Sequence, residues 1–197
     1  MRALHLPLIL GSSSPFRREL LERLQLTFQC HSPDIDEQRL ADESADALVL
    51  RLASGKADAV AEQFPPAFVI GSDQVAVTAA GTILGKPGDA TTAVAQLMAS
   101  SGTTVTFHTG LCLLNSDSGR RQTVVEHFSV RFRAFTEHEA RRYVAAEQPL
   151  NCAGSFKSEG LGITLFDAME GRDPNSLIGL PLIALCDMLR AEGVALP

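Results

Sequence analysis

Short apolar runs alternate along the chain with stretches in which apolar residues recur at helical spacing. Residues 6–10 and 68–70 are continuous apolar runs, which are typical of buried strands. Residues 43–63 place apolar side chains at helical spacing, and the prolines at 65 and 66 end this predicted helix. The same criteria predict further helices at 15–24, 90–99, 136–146 and 173–191, and further strands at 27–31, 75–77, 82–84, 103–114 and 122–132.

This order of elements predicts an α/β protein with a mixed sheet, because helices alternate with strands and the two longest strands suit an antiparallel hairpin. The strand at 68–70 is expected to end at residues 71–74. The last helix is expected to bend near residues 179–181, which contain a glycine and a proline. We expect a single domain over residues 1–197, with two lobes around one cleft.

Composition and net charge favour some classes of protein and argue against others. Hydrophobic residues make up 45% of the chain and charged residues 20%, as in soluble globular proteins. The formal net charge of -6 argues against a general nucleic-acid binder but not against a local basic site. No apolar stretch approaches the length of a membrane span. The four cysteines are widely spaced and form no CxxC motif, which favours reduced, mostly buried thiols in a cytoplasmic protein.

The most distinctive polar segment is Gly11-Ser12-Ser13-Ser14-Pro15-Phe16-Arg17-Arg18, directly after the first apolar run. Ser14 suits a helix N-cap and Pro15 the first helical position, where its missing N–H costs nothing. The helix N-terminus then presents backbone N–H groups to an anion. Arg17 and Arg18 oppose the positive end of the helix dipole, a conflict that a nucleotide phosphate would relieve. The alternative is an ordinary strand–helix connection with two solvated arginines.

Other polar side chains stand at the ends of predicted elements, where catalytic groups tend to lie. They are Glu37 in the acidic cluster at 34–37, Asp73 and Gln74 after the buried strand, Lys86 between Gly85 and Pro87, and the segment at 155–160. Taken alone, each has a simpler reading, and Lys56 within its helix reads as a solvated lysine. Taken together, the carboxylates of Glu37 and Asp73 suit Mg²⁺ or Mn²⁺ and the cations suit a triphosphate. This combination favours metal-assisted cleavage of a phosphoanhydride.

At these residues the chain resembles the Maf family of nucleoside triphosphate pyrophosphatases. The resemblance covers residues 8–189 and rests on Ser-x-Ser-Pro-x-Arg-Arg, Asp36-Glu37, Lys56-Ala57, Gly71-Ser72-Asp73-Gln74, Gly85-Lys86-Pro87 and the late Gly-rich loop, in that order. It implies a two-lobed Maf/ITPase-like α/β fold, with an elongated mixed sheet flanked by helices and a central active-site cleft. It also implies a divalent metal and hydrolysis of a nucleoside triphosphate to the monophosphate and pyrophosphate.

The resemblance further implies that Asp73 takes the position of the proton acceptor. From the chemistry of the residues themselves, Glu37 is expected as the second catalytic carboxylate, with both residues as expected metal ligands. The reverse assignment, with Glu37 as the base and Asp73 mainly as a ligand, stays open. The expected phosphate-binding residues are Ser12, Ser14, Arg17, Arg18, Lys56 and Lys86, and Lys157 is expected to line the same cleft.

Three positions distinguish branches of this family, and here they hold Phe16, Gln74 and Glu159. This set is similar to the branch that hydrolyses 7-methyl-GTP, whereas the branch acting on dTTP and UTP typically has Arg, Thr and Gln. Methylation at N7 makes guanine cationic, so Phe16 would stack on the base. The Glu159 carboxylate would accept from guanine N1–H and the exocyclic amine.

The expected partner is a small-molecule nucleotide, not a nucleic acid or a membrane. Two alternatives stay open, namely an enzyme of the dTTP/UTP branch and a nucleotide-sensing regulator of septum formation. A homodimer through the hairpin at 103–132 is a further expectation, suggested by its apolar, extended strands.

Overall fold

The computed structural model describes residues 4–197. The strands are β1 (Leu8–Gly11), β2 (Gln29–His31), β3 (Phe68–Thr78), β4 (Ile83–Leu84), β5 (Thr104–Asn115), β6 (Arg121–Phe132) and β7 (Phe166–Gly171). The α-helices are α1 (Pro15–Glu22), α2 (Ala45–Ala61), α3 (Ala90–Ser100), α4 (Glu137–Glu147), α5 (Pro174–Ile178) and α6 (Leu182–Ala191). Two short 3₁₀ helices, Ala153–Ser155 and Leu161–Leu165, precede β7. Within this described part, none of the helices has both the length and the apolar character needed to cross a membrane.

The strands form one mixed sheet of seven strands in the order β2-β1-β3-β5-β6-β7, with β4 paired to β3. β1 runs parallel to β2 and β3, so that Leu10 lies opposite Cys30 on one side and Ile70 on the other. The β3–β4 and β6–β7 pairs are antiparallel. The predicted α/β class with a mixed sheet flanked by helices is confirmed. β7 was not predicted, because its residues are mostly exposed and show no apolar alternation.

The chain divides into two compact units. Unit 1 contains the described residues up to Asp73 together with Thr109–Glu126 and Gly179–Pro197, and unit 2 contains Gln74–His108 and His127–Ile178. Three boundaries fall within β3, β5 and β6, each of which contributes residues to both units, and the fourth falls after α5. The predicted arrangement of two lobes around one cleft stays a prediction.

In unit 1, helix α2 lies unusually close to the sheet. The side chain of Ser44 caps the start of the helix. A Cβ added at Gly71 of β3 would lie 2.0 Å from the Ala53 carbonyl oxygen, and one at Gly110 of β5 would lie 2.3 Å from the Val49 carbonyl oxygen. Only glycine at these two positions permits the observed packing. The core that results contains Ile9, Ala53, Ala57, Val60, Ala67, Val69, Cys112 and Leu114.

Unit 2 has a separate core built around aromatic side chains. Phe156 packs edge to face against Phe132 and Phe166, with ring centroids 5.4 Å and 4.9 Å apart. Helix α4 packs on this core and begins with the predicted capping box, in which the side chains of Thr136 and Glu139 each bond the other's backbone. Ala140, Tyr143 and Val144 are the residues of this helix that belong to the core.

Two element boundaries in the structure differ from those predicted. The strand at 68–70 does not end at 71–74 but continues to Thr78, so Asp73 lies within β3. The polar residues at 71–74 resembled a turn in sequence, yet they are extended and paired in the sheet. The helix at 173–191 is broken where a bend was expected, because Gly179 adopts a φ of 123° and Pro181 follows it. Asp173 caps α5 as predicted, by accepting from the N–H of Asn175 at 2.8 Å.

The cysteines are free thiols, as predicted, but the prediction that most are buried is wrong. Cys112 is buried, Cys152 and Cys186 are partly buried, and Cys30 is exposed. Burial raises the pKa of the Cys112 thiol to about 11, so this thiol stays protonated at neutral pH.

Candidate active site

Lys56 of α2 is buried and pairs with two carboxylates. Its Nζ lies 2.7 Å from Asp73 Oδ1 and 2.7 Å from Glu37 Oε1. The side chains of Lys56 and Asp73 are only 8% and 11% exposed, whereas that of Glu37 is 56% exposed. The reading of Lys56 as a solvated helix lysine is therefore wrong. An ammonium buried to this degree requires a charged partner, and here it has two.

The close packing of α2 on β3 explains how Lys56 reaches Asp73. Side chains two residues apart on a strand share a face, so Asp73 projects on the same side as Gly71. At Gly71 the helix touches the strand, since an added Cβ would lie 2.0 Å from the Ala53 carbonyl oxygen and 2.9 Å from the Ala57 nitrogen. Lys56 lies between Ala53 and Ala57 along the helix. The glycine contact thus brings the ammonium to the carboxylate.

Arg17 adds a second cation to this group. Burial lowers the pKa of its guanidinium, and the negative charges of Asp73 and Glu37 offset part of that effect. Arg17 Nε donates to the Gly179 carbonyl oxygen at 2.8 Å, and the hydroxyl of the buried Ser72 donates to the same oxygen at 2.9 Å. Sequence reasoning missed both anchors, since Gly179 indicated only a bend and Ser72 only part of a turn.

The serine-rich loop before α1 is held by its own side chains. Ser12 Oγ accepts from the N–H of Ser14 at 3.1 Å, and Ser14 Oγ accepts from the N–H of Arg17 at 3.4 Å. The predicted N-cap at Ser14 is confirmed. Arg18 is exposed and pairs with Glu22 at 3.2 Å on the next turn of the helix. Phosphate binding by the two serines and Arg18 stays a prediction.

The remaining predicted site residues, apart from Phe16, lie in unit 2. Phe16 is partly exposed on α1 of unit 1. Gln74 Nε2 donates to the carbonyl oxygens of Ser176 at 2.7 Å and Leu177 at 3.1 Å, so its amide also holds helix α5. Lys86 is exposed in the segment that follows β4. The roles of these three predicted residues stay predictions.

Lys157 and Glu159 follow the first 3₁₀ helix of unit 2. Lys157 Nζ donates to the Glu147 carbonyl oxygen at 2.8 Å and lies 3.3 Å from Glu147 Oε1. Glu159 is exposed and accepts from the hydroxyl of Ser158 at 3.2 Å. Glu147 is a residue that sequence reasoning missed, because a glutamate at the end of a helix carries no distinctive pattern.

The structure thus brings four predicted residues together in unit 1, namely Arg17, Glu37, Lys56 and Asp73. The two carboxylates supply oxygen ligands of the kind that Mg²⁺ and Mn²⁺ take, so the donor set fits a hard divalent cation. The two cations suit a polyanionic ligand. Chemically, such a group is able to neutralise phosphate charge and to take a proton from a water molecule.

Comparison with known proteins gives a family and close relatives. Residues 7–192 match the family described as Maf-like protein. A protein of Alcanivorax borkumensis named 7-methyl-GTP pyrophosphatase is 62% identical over 190 residues, which cover 96% of each chain. A protein of Pseudomonas aeruginosa with the same name is 58% identical over 190 residues, which cover 96% of this chain and 98% of that relative.

Proposed function

The chain belongs to the family of Maf-like proteins, and we propose that it hydrolyses 7-methyl-GTP to 7-methyl-GMP and pyrophosphate. The observation that carries the proposal is the buried Lys56 ammonium held by the Asp73 and Glu37 carboxylates. This arrangement combines positive charge for a triphosphate with carboxylate oxygens that accept a proton or bind a cation. The relatives named 7-methyl-GTP pyrophosphatase support the choice of substrate.

In the proposed reaction a water molecule attacks the α-phosphorus. Asp73 accepts a proton from this water as the new P–O bond forms. The bond from the α-phosphorus to the oxygen bridging to the β-phosphate breaks, and pyrophosphate leaves with that oxygen. Lys56 and Arg17 neutralise charge on the phosphates, which is the main requirement for phosphoanhydride cleavage. The further proposed phosphate ligands are Ser12, Ser14, Arg18 and Lys86.

Glu37 and Asp73 would together hold a divalent cation, Mg²⁺ or Mn²⁺. When bound, the cation would supply neutralisation of negative charge at the phosphate oxygens. Glu37 supports this assignment because its side chain is 56% exposed and is thus accessible to an incoming ion. The alternative is the reverse assignment, with Glu37 as the base. The pH dependence of kcat/KM in variants of the two carboxylates distinguishes these assignments.

Phe16 and Glu159 are the proposed residues for base recognition. A cationic 7-methylguanine stacked on the Phe16 ring would gain about 1–2 kcal/mol when desolvated. The Glu159 carboxylate would accept from N1–H and the exocyclic amine and would offset the positive charge of the base. An uncharged pyrimidine offers neither advantage. Both side chains have exposed surface with which to meet a ligand.

The proposal is tested by measuring pyrophosphate release with Mg²⁺ or Mn²⁺ from 7-methyl-GTP, GTP, dTTP and UTP in parallel, with a metal-free control containing a chelator. The expected result is metal-dependent release with a strong preference for 7-methyl-GTP. Preference for dTTP and UTP would keep the reaction but assign the chain to the other branch. Nucleotide binding without release from any of the four would favour the sensor of septum formation.

Exchanging the three branch-specific residues is expected to shift the substrate preference. The variant combines Phe16→Arg, Gln74→Thr and Glu159→Gln. It removes the aromatic face and the carboxylate that favour a cationic base, so the ratio of kcat/KM for 7-methyl-GTP over dTTP should fall by about tenfold or more. Steady-state kinetics with both nucleotides measure this ratio.

A separate control is required for Gln74, because its amide also donates to the backbone carbonyls of two adjacent residues within α5. Gln74→Thr alone, examined by thermal unfolding, measures what the loss of these bonds costs in stability. An unchanged preference in a stably folded triple variant would show that base selectivity resides in other residues.

A cytoplasmic location and a homodimer through residues 103–132 belong to the same proposal. The free cysteines support the first. The length of β5 and β6, which occupy most of this range, supports the second.

A further inference from the structure

Glu147, the last residue of α4, holds both ends of the segment that carries Glu159. We call residues 157–161 the Glu159 segment. At its C-terminal end, the N–H of Leu161 donates to Glu147 Oε2 at 2.8 Å. At its N-terminal end, Lys157 Nζ donates to the Glu147 carbonyl oxygen at 2.8 Å and lies 3.3 Å from Glu147 Oε1. One side chain therefore connects the two ends of the segment.

Tyr143, one helical turn before Glu147, adds a contact to the same segment. Its hydroxyl oxygen accepts from the backbone N–H of Lys157 at 3.0 Å. The Tyr143 ring is 4% exposed and belongs to the core of unit 2. Burial and the negative charge of Glu147 raise the pKa of the Tyr143 hydroxyl, so it stays protonated. The contact therefore ties the segment to the rigid aromatic core and not to a mobile side chain.

Two glycines permit this close fit. A Cβ at Gly160 would lie 2.9 Å from both carboxylate oxygens of Glu147. A Cβ at Gly162 would lie 2.3 Å from the Lys157 carbonyl oxygen and 3.2 Å from the Tyr143 hydroxyl oxygen. A larger residue at Gly160 would displace the Glu147 carboxylate from its contacts, and one at Gly162 would meet the backbone of Lys157. Glycine at both positions therefore leaves room for the contacts of Glu147 and Tyr143 with the Glu159 segment.

We propose that Tyr143 and Glu147 are positioning residues that hold the backbone on either side of Glu159 and thereby set the preference for a cationic purine base. The inference rests on the proposed function and names two selectivity residues beyond those that distinguish the family's branches. Glu159 lies midway between two pinned ends, and its carboxylate is exposed. A carboxylate on a backbone that is held before binding loses less conformational entropy when it meets the base, so this positioning favours the ligand that uses the carboxylate.

The same contacts assign a role to Lys157. Its ammonium is engaged by Glu147 through a carbonyl and a carboxylate oxygen. In this arrangement Lys157 helps to hold the Glu159 segment. Its predicted place in the lining of the nucleotide cleft stays a prediction beside this positioning role.

The test uses variants that remove single contacts. Tyr143→Phe deletes only the hydroxyl, and Glu147→Gln keeps the size of the side chain but removes its charge. Glu137→Gln is the matched control on the same helix, where the carboxylate pairs with Arg141. The measurement is kcat/KM for 7-methyl-GTP divided by kcat/KM for GTP. We expect this ratio to fall about fivefold in Tyr143→Phe and Glu147→Gln, because a carboxylate that is held less firmly attracts the cationic base less strongly, and GTP carries no positive charge on its base. The ratio should stay unchanged in Glu137→Gln.

The ratio does not depend on the fraction of enzyme that is folded, because both substrates report on the same active molecules. A purely structural role would lower both rates together and leave the ratio unchanged, which would overturn the inference. In a Glu159→Gln background, Glu147→Gln should have no further effect on the ratio. A full additional effect there would show that Glu147 does not act through Glu159. Absence of pyrophosphate release by the unaltered protein would instead overturn the proposed function.

Discussion

Replacing Asp73 by asparagine is expected to lower the rate of pyrophosphate release by about a hundredfold to ten-thousandfold, the usual contribution of a positioned general base. The amide has the shape of the carboxylate, and its oxygen still accepts from Lys56 Nζ, which lies 2.7 Å from Oδ1 in the unaltered protein. It does not accept a proton from water. Nucleotide affinity, measured by calorimetry, should therefore remain close to that of the unaltered protein while kcat collapses.

Asp187→Asn is the control for this variant, since Asp187 is an exposed carboxylate that pairs with Arg190 at 3.2 Å. Turnover by Asp73→Asn within about threefold of this control would contradict the assignment of the base. The pH dependence of kcat/KM separates the two carboxylates. If Asp73 is the base, the acidic limb of the profile disappears in Asp73→Asn and persists in Glu37→Gln; the opposite pattern would identify Glu37.

Replacing Gly71 by alanine is expected to destabilise the protein by about 3 kcal/mol or more, at the upper end of the range for overpacked positions. The new methyl group would lie 2.0 Å from the Ala53 carbonyl oxygen, so β3 and α2 must separate. Both atoms that it meets first belong to the helix backbone, which does not rotate away as a flexible side chain does. The free energy of unfolding, from urea denaturation, measures this effect.

Gly85→Ala is the matched control, because a Cβ at Gly85 meets no atom within 4 Å. A change in unfolding free energy at Gly71 within about 0.5 kcal/mol of that at Gly85 would contradict the packing argument. Folded Gly71→Ala protein should also lose activity, since moving α2 from β3 moves Lys56 away from Asp73.

Elements with a strong local signal were predicted closely from the sequence. Ser14 and Pro15 predicted the start of α1, and the Thr136–Glu139 capping box predicted the start of α4. Both caps are present in the structure. These signals depend on residues within one helical turn, so they need no knowledge of the rest of the chain. β7 was missed because it is held in the sheet by its pairing with β6 and not by its own composition.

Asp73 shows the limit of local reasoning. The polar residues at 71–74 look like the end of a strand, and on that basis Asp73 was placed after β3. In the structure the strand continues to Thr78. A glycine in a strand marks either a bend or a close approach of another backbone. Which of the two applies depends on α2, and the sequence around residue 71 does not contain that information.

By itself, the sequence determined the alternation of helices and strands and the caps, because these depend on spacing over a few residues. It also indicated the residue types suited to a triphosphate and a divalent cation, because these follow from the chemistry of the side chains. Only the tertiary structure decided which of these side chains meet. Lys56 and Asp73 are 17 residues apart, and Arg17 and Gly179 are 162 apart. The first pair forms because α2 packs on β3. The second forms because the N-terminal and C-terminal parts of the chain pack together within unit 1. Packing is set by the shapes of all the surfaces in contact, and no local pattern encodes it.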